Sequence, residues 1–517
     1  MVKKIGFLFG AGAEIGYGMP TGGTFALDIF RQDPTEAKKE FKKMRAAIDK
    51  TTAYAGTWLP ENFDEKNIGS FGKSVFSNII KSTIEHNRED IINKLNNFDE
   101  LAQNVLEKVN EKNNVDVCSS IKEITGRNID DINMTATYSF TDEFSKGNRL
   151  FSSHFFSALL LIYKARKDSS DKIYRELGKI IVSIMQLQVG ALSEDLTKKI
   201  NDNPFRKKDD DIDLFDDLGE FINLNYSLAG VTGLEYLLEK RSDITIEKGD
   251  NDRIVILFAQ KLLEAIFSEV IDYKSLIDSN WHYLYCPRSE WNKFCKICIF
   301  LFTVRNYIEK QCNHIDYNEV GYYDDVNSYI RTNKIQVDSI ATTNYTSLIK
   351  KKIVAGPKIY FLNGSIDLWY NPYINHIETR EVSVDKTEWK YFEVPLLFTQ
   401  SGTKPMTSIY MSKQYVEVYY SFFKADVICV VGFGFNTDDE HINGILRELI
   451  NDGKKIVIVT NKRNQTESSL KEEYIKRLRV SKSDSIQIVT VDKDRKDNGQ
   501  LWLDKLYEIM GEKEWMS

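Results

Sequence analysis

The chain has 517 residues, 42% of them hydrophobic, enough for a substantial core and, by length, for two to four domains. A formal charge of −7 argues against the basic stripe that nonspecific nucleic-acid binding requires, so no direct nucleic-acid contact is expected. Neither a bilayer-spanning apolar run nor a charged start followed by an apolar h-region is found, and six cysteines without regular spacing fit a reduced compartment; a cytoplasmic protein is expected.

In chain order, the first predicted element is a strand over Ile5-Gly6-Phe7-Leu8-Phe9, ending in the glycine turn Gly10-Ala11-Gly12-Ala13 ahead of a helix. Glycine lets a backbone approach closely, so the amides after Gly10 and Gly12 are expected to face an anion, such as a pyrophosphate, at that helix's N-terminus. The dinucleotide fingerprint G-x-G-x-x-G would place its third glycine at 15, where Ile15 stands with Gly16 after it. A tight strand-to-helix turn without a ligand explains the same residues.

The stretch from the glycine turn to the next strand-like run is far longer than one strand-helix crossover needs, so residues 36–329 are read as a helical insertion. Helical apolar spacing marks Asp90 to Lys112, Phe155 to Lys164, Asp171 to Leu192, Leu234 to Glu239, Asp252 to Val270 and Trp291 to Glu309. Polar breaks fall at Gly126 to Asn133, Asn201 to Asp213 and Lys240 to Asp252, and the run Arg206 to Asp211 reads as a solvated loop. Cys295, Cys298, Cys312 and His314 have the ligand types of a zinc site, yet the first two sit in an apolar helical stretch where free cysteines act as small core residues. No metal is expected.

The last third returns to strands, each ending in polar residues. They are Val337 to Ala341 before Thr342-Thr343-Asn344-Tyr345-Thr346, Lys358 to Leu362 before Asn363-Gly364-Ser365, Asp426 to Val431 before Gly432-Phe433-Gly434-Phe435-Asn436, and Lys455 to Thr460 before Asn461. A final strand-like run covers Ile486 to Val491. Continuous β-branched runs suit a parallel sheet covered on both faces, whose ligands bind outside the carboxyl ends of the strands.

Taken together, these motifs resemble the sirtuin-like NAD-binding family, especially the bacterial anti-phage branch that hydrolyses NAD. Gly10-Ala11-Gly12 with Gly18-Met19-Pro20 is similar to the opening glycine-alanine-glycine loop and its glycine-x-proline continuation, and Thr342-Thr343-Asn344 to the threonine-x-asparagine motif. Leu362-Asn363-Gly364-Ser365 is similar to the leucine-histidine-glycine-serine motif, and Gly432 to Phe435 with Asp439 to Ile442 to the late glycine-rich, aspartate-containing one. The resemblance covers the N-terminus and most of residues 335–500. It implies an α/β fold with a Rossmann-like parallel sheet, built from 1–35 and 330–517 and interrupted by the 36–329 insertion.

Three departures qualify what the resemblance implies. Pro20 is followed by Thr21, Gly22 and Gly23 rather than the deacylases' aspartate-phenylalanine-arginine, and residues 364–428 contain no cysteine for a four-cysteine zinc module, which argues against a protein deacylase. The general-base histidine is replaced by Asn363, whose amide cannot accept a proton near neutral pH, and the aspartate of the asparagine motif is replaced by Thr346. Either hydrolysis depends chiefly on Asn344 or the chain is catalytically impaired.

The expected activity is therefore cleavage of NAD to nicotinamide and ADP-ribose as an abortive-infection effector. A catalytically inactive nucleotide-binding subunit and an NAD-dependent deacylase or ADP-ribosyltransferase are the alternatives. Asn344 is expected to orient a water or the ribose hydroxyls, with a helix cap as its plain alternative. Asn363 would bond a ribose hydroxyl while a proton passes to water or Asp367, and His376 is a substitute base. Expected NAD contacts are Gly10, Ala11, Gly12, Pro20, Thr343, Gly432, Gly434 and Phe435, with Asn461 at the adenine ribose or as a simple turn residue. Asp439 is read as a helix cap and His441 as packing or facing solvent. No sensor domain is recognised, so the trigger is expected from a partner protein, homo-oligomerisation or the insertion.

Overall fold

The computed structural model describes the chain apart from residues 1, 21, 134–148, 166–171, 193–229, 240–249, 269–270, 272, 355, 381–388, 398–407, 437–438, 463–465, 482 and 512–517. It divides into two compact units. One comprises Met1–Thr21, Gln32–Ser70 and Ile277–Ser517; the other comprises Gly22–Arg31 and Phe71–Leu276. Residues 36–70 and 277–329, read from the sequence as insertion, thus group with the sheet-bearing unit, while Gly22–Arg31 groups with the helical one.

The first unit is built on a seven-stranded parallel sheet. Its strands are β1 (Lys3–Phe9), β2 (Ile335–Gln336), β3 (Ser339–Thr342), β4 (Lys358–Phe361), β8 (Val427–Val431), β9 (Ile456–Asn461) and β10 (Ile486–Val491). The order is β4-β3-β1-β8-β9-β10, with the short β2 also pairing β1. Every pairing in it is parallel. Moving outward from β1 to β4 and then returning beside β1 to continue to β10 is the doubly wound order, with its switch point between β1 and β8. β8 is buried along its whole length, as a strand covered on both faces must be. The sheet is α/β and compatible with a Rossmann-like fold.

A second, antiparallel sheet follows β4: β5 (Gly364–Asn371) pairs both β6 (His376–Thr379) and β7 (Val394–Leu397). The chain turns from one sheet into the other at Gly364, whose φ of 84° and missing Cβ are both required, because a Cβ there would lie 1.9 Å from Leu396 O.

The second unit is helical in its described residues. At its centre lies Asn251–Phe267, packed against the helices Phe98–Asn113, Val117–Thr125 and Lys172–Leu192. The sequence places most of these helices within a few residues; the predicted Asp90 to Lys112 segment is two helices, Arg88–Asn96 and Phe98–Asn113, joined at Asn97. The charged run Arg206 to Asp211 lies outside the described residues.

At the switch point the turns after β1 and β8 touch backbone to backbone. The Gly10 and Gly12 amides donate to Val431 O and Gly432 O, both at 2.9 Å. A Cβ at position 10 would lie 2.5 Å from Gly432 O, whereas one at Gly16 would meet nothing within 4 Å. Gly10→Ala is therefore expected to destabilise the protein by about 1–3 kcal/mol in chemical denaturation, and Gly16→Ala to change stability by less than about 1 kcal/mol. Equal effects at the two positions would contradict the packing role assigned to Gly10.

Candidate functional site

The parallel sheet gathers the polar strand ends along one edge. Phe9 pairs with Thr342 and Val431, Thr342 pairs with Phe361, and Val431 pairs with Val459, so the segments after β1, β3, β4, β8 and β9 leave the sheet side by side. Gly10, Ala11, Gly12, Thr343, Asn344, Asn363, Gly432, Gly434, Phe435 and Asn461 all lie in or next to those segments.

The turn after β1 winds into a 3-10 helix, Ala11–Tyr17, and ends at Gly18 with φ 91°. This departs from the expected anion cradle. Of the two amides expected to face an anion, that of Ala13 is committed within the protein, donating to Gly10 O at 3.0 Å, and the Gly12 amide between them donates to Gly432 O at 2.9 Å. A seven-residue 3-10 helix also lacks the summed dipole of a longer α-helix. Ala11 is exposed and Pro20 half-buried at the two ends of this segment.

The same turn carries a residue that sequence reading missed. Glu14 is 3% exposed, and its Oε1 accepts from the Tyr323 hydroxyl at 2.9 Å and from Thr346 Oγ1 at 2.7 Å. Burial pushes its carboxyl up to about 7 against the opposing effect of those hydroxyl donors. Thr346, which stands where the resemblance places an aspartate, thus supplies a donor to a carboxylate brought from the opposite side.

Asn344 belongs to this cluster. It is 7% exposed, and its Nδ2 donates to Gly10 O and to the Tyr323 hydroxyl, both at 3.1 Å. Its backbone amide donates to Thr342 Oγ1 at 3.1 Å, and Thr342 Oγ1 in turn donates to Phe9 O at 3.2 Å. The next helix, Leu348–Lys352, has Ser347 at its N-cap, so Asn344 is not a helix cap. Thr343 is half-buried and donates through its backbone to Phe9 O at 3.0 Å. Tyr323 is itself held firmly: its ring stacks on Tyr17 at 5.5 Å and meets Phe9 edge-on at 5.0 Å, while its amide donates to the Tyr17 hydroxyl at 3.0 Å.

Asn363 follows β4 and is 2% exposed, with Oδ1 3.1 Å from His441 Nε2. An amide oxygen only accepts, so this ring nitrogen carries the proton. Desolvation lowers the His441 pKa to about 4, which keeps the ring neutral. Tyr415 completes the group: its ring meets the imidazole edge-on at 5.7 Å and its hydroxyl donates to Leu362 O. His441 is therefore neither a solvent-facing nor a merely packed residue. Asp439 occupies the N-cap position of the helix Glu440–Asn451, as expected, but its side chain makes no capping hydrogen bond.

The remaining candidates fall outside these two clusters. Phe435 takes φ 51° and turns its buried ring onto Phe433 and Tyr474, while Gly434 is exposed and its carbonyl accepts from Arg477. Asn461 is exposed at the end of β9. His376 pairs with Asn371 at the far end of β5, roughly 23 Å along the strand from Gly364 at ~3.3 Å per residue, too far to replace a base at 363. Asp367 is 3.4 Å from the Lys350 ammonium. Cys295, Cys298 and Cys312 are buried, free thiols on the helix Trp291–Asn313. Among the described residues no group of metal-ligating side chains comes together, and no helix is long and apolar enough to cross a membrane.

No protein-family model matches the chain, and a search of curated proteins finds no match.

The Glu14 carboxyl has a testable linkage to stability. Its folded pKa lies above the ordinary 4.5, so its proton stabilises the fold fully below about pH 4.5, and this contribution is lost as pH rises through about 7. The span corresponds to roughly 3 kcal/mol. Glu393 is shifted in the same direction and His441 in the opposite one, so the difference between the parent and Glu14→Gln isolates the effect. Denaturant unfolding from pH 4.5 to 8 is expected to show a fall in stability with rising pH that is shallower in Glu14→Gln; parallel curves would contradict the shift.

Proposed function

We propose that the chain is a sirtuin-like NAD hydrolase, with NAD as substrate rather than cofactor. The observation that carries this reading is the joining of two distant motifs: Asn344 Nδ2 donates to the carbonyl of Gly10, beside the switch point where doubly wound sheets bind nucleotides. The amide's two protons are directed at Gly10 O and Tyr323, which leaves Asn344 Oδ1 on the opposite corner as the acceptor for a ribose hydroxyl or a water.

Breaking the bond between nicotinamide and ribose sends its electron pair to the ring nitrogen and neutralises the leaving group. The ribose then carries oxocarbenium character, water adds to its C1′, and the water's proton passes to solvent. Such a step needs stabilisation of positive charge and a placed nucleophile more than a strong base, which is consistent with an amide at 363. In the anti-phage branch that the motifs resemble, this activity would deplete NAD, and the trigger would come from a partner protein, self-association or the helical unit.

A second reading, a nucleotide-binding subunit without turnover, draws on Asn363. With Oδ1 facing His441 Nε2–H, it can offer Nδ2 as a donor but has no group that takes a proton.

Incubation of the purified chain with NAD separates the readings. Equal amounts of nicotinamide and free ADP-ribose are expected, with Asn344→Ala lowering kcat by about 100-fold or more while NAD binding changes by no more than a few-fold. Binding without product, in the parent and in Asn363→His, favours the nucleotide-binding subunit; ADP-ribose recovered on protein indicates a transferase. Failure to bind NAD at millimolar concentration sinks the proposal.

A further inference from the structure

Glu14 is the one carboxylate that the described structure buries beside Asn344, and no motif reading assigns it a role. Its two hydroxyl donors come from separate parts of the chain, Tyr323 at the start of the helix Tyr322–Arg331 and Thr346 after β3. The Tyr323 hydroxyl has a single proton. Because that proton goes to Glu14 Oε1, the oxygen is left as an acceptor toward Asn344 Nδ2 at 3.1 Å. The direction of the whole relay, from amide to hydroxyl to carboxylate, is thus set at the Glu14 end.

We propose that Glu14 is a positioning residue: through the Tyr323 hydroxyl it turns the Asn344 carboxamide, with nitrogen held inward and oxygen presented at the sheet edge. The functional half of this assignment rests on the NAD-hydrolase reading; the structural half does not. Flipping the amide would set its oxygen against Gly10 O, two acceptors at hydrogen-bond distance, and would leave the Tyr323 hydroxyl to choose between Asn344 and Glu14. Gly10 O and, through Tyr323, the carboxylate together make the observed orientation the favourable one.

Charge strengthens the relay, since an ionised acceptor draws the hydroxyl proton more strongly than a neutral one. The groups facing Glu14 are Tyr323 and Thr346, Asn344, and Cys312 from the helix Trp291–Asn313. Burial raises the Tyr323 hydroxyl well above its ordinary value and the Cys312 thiol up to about 12, so neither competes for charge near neutrality. Tyr17, stacked on Tyr323, is likewise raised by burial and by Asp324. Of Glu14, Tyr323, Cys312 and Tyr17, Glu14 is thus the group that gains charge between acid and neutral pH.

Two readouts test the assignment on the full chain. In protein labelled with ¹⁵N at asparagine, the Asn344 side-chain amide is identified by its loss in Asn344→Ala. Its protons are expected to exchange slowly in the parent and at least ten-fold faster in Glu14→Gln and in Tyr323→Phe. In NAD turnover, each single variant is expected to lower kcat by 10- to 100-fold with KM within about three-fold, and the double variant to cost no more than the worse single one. The parent's kcat is expected to rise with pH through neutrality and that of Glu14→Gln to stay flat.

Unchanged amide exchange in both variants overturns the proposal, as does a double variant whose losses multiply. Both single variants are near-isosteric, and circular dichroism with thermal unfolding shows whether each is folded before exchange is read. If the parent turns over no NAD but the Asn344 amide depends on Glu14 and Tyr323, the hydrolase reading fails while the positioning role stands.

Discussion

The contact between the turns after β1 and β8 is the constraint from which the rest of the sheet edge follows. Gly432 has φ 64°, and a Cβ on it would lie 2.4 Å from the Ala13 nitrogen. Two backbones this close leave the 3-10 helix Ala11–Tyr17 little freedom, and its inward face then carries Ala13, Glu14 and Tyr17 into the unit's interior. A carboxyl buried there requires donors, and Tyr323 and Thr346 supply them. Asn344 is drawn into the same group because its Nδ2 finds acceptors on both Gly10 and Tyr323. Glycine packing and polar satisfaction are in this sense one feature: the first buries Glu14, and the second fixes the asparagine.

The strands were legible because their burial is continuous. Val427–Val431 and Ile456–Val459 read as apolar runs and are buried residue by residue. The helices Phe98–Asn113, Lys172–Leu192 and Asn251–Phe267 were legible for the complementary reason, a helical apolar period with good helix formers. What was hidden is what depends on long-range pairing. Glu14 lies 309 residues from Tyr323 and 332 from Thr346, and in isolation a glutamate in a glycine-rich turn reads as a solvated charge. His441 looked unremarkable for the same reason: its partner Asn363 is 78 residues away. The Ala13 amide, expected to face an anion, turns back to Gly10 O instead, in a turn that the later segment Val431–Gly432 fixes by accepting from the Gly10 and Gly12 amides more than 400 residues away in the chain.

The two polar clusters differ in how they hold an amide, and the difference bears on what each asparagine can do. Asn344 uses its nitrogen within the protein and keeps its oxygen; Asn363 uses its oxygen, toward His441, and keeps its nitrogen. One presents an acceptor and the other a donor. A ribose hydroxyl is both donor and acceptor, so a pair of amides anchored in opposite senses can read a diol without either of them titrating. Neither asparagine could be assigned this polarity from sequence, because it is decided by Gly10, Tyr323 and His441 rather than by its own motif.

Electrostatics point the same way. On the proposed reaction, positive charge moves from the nicotinamide ring onto the ribose, so a fixed cation beside the sugar would oppose the step and an anion would favour it. Desolvation keeps His441 neutral by lowering its pKa to about 4, and it raises Glu14 only to about 7, where the ionised form is still accessible. Burial thus acts against charge on both groups; at Glu14 it is opposed by Tyr323 and Thr346, which stabilise the carboxylate, while His441 Nδ1 is buried without a hydrogen-bond partner among the described residues. A site arranged in this way would gain negative rather than positive charge as it ionises.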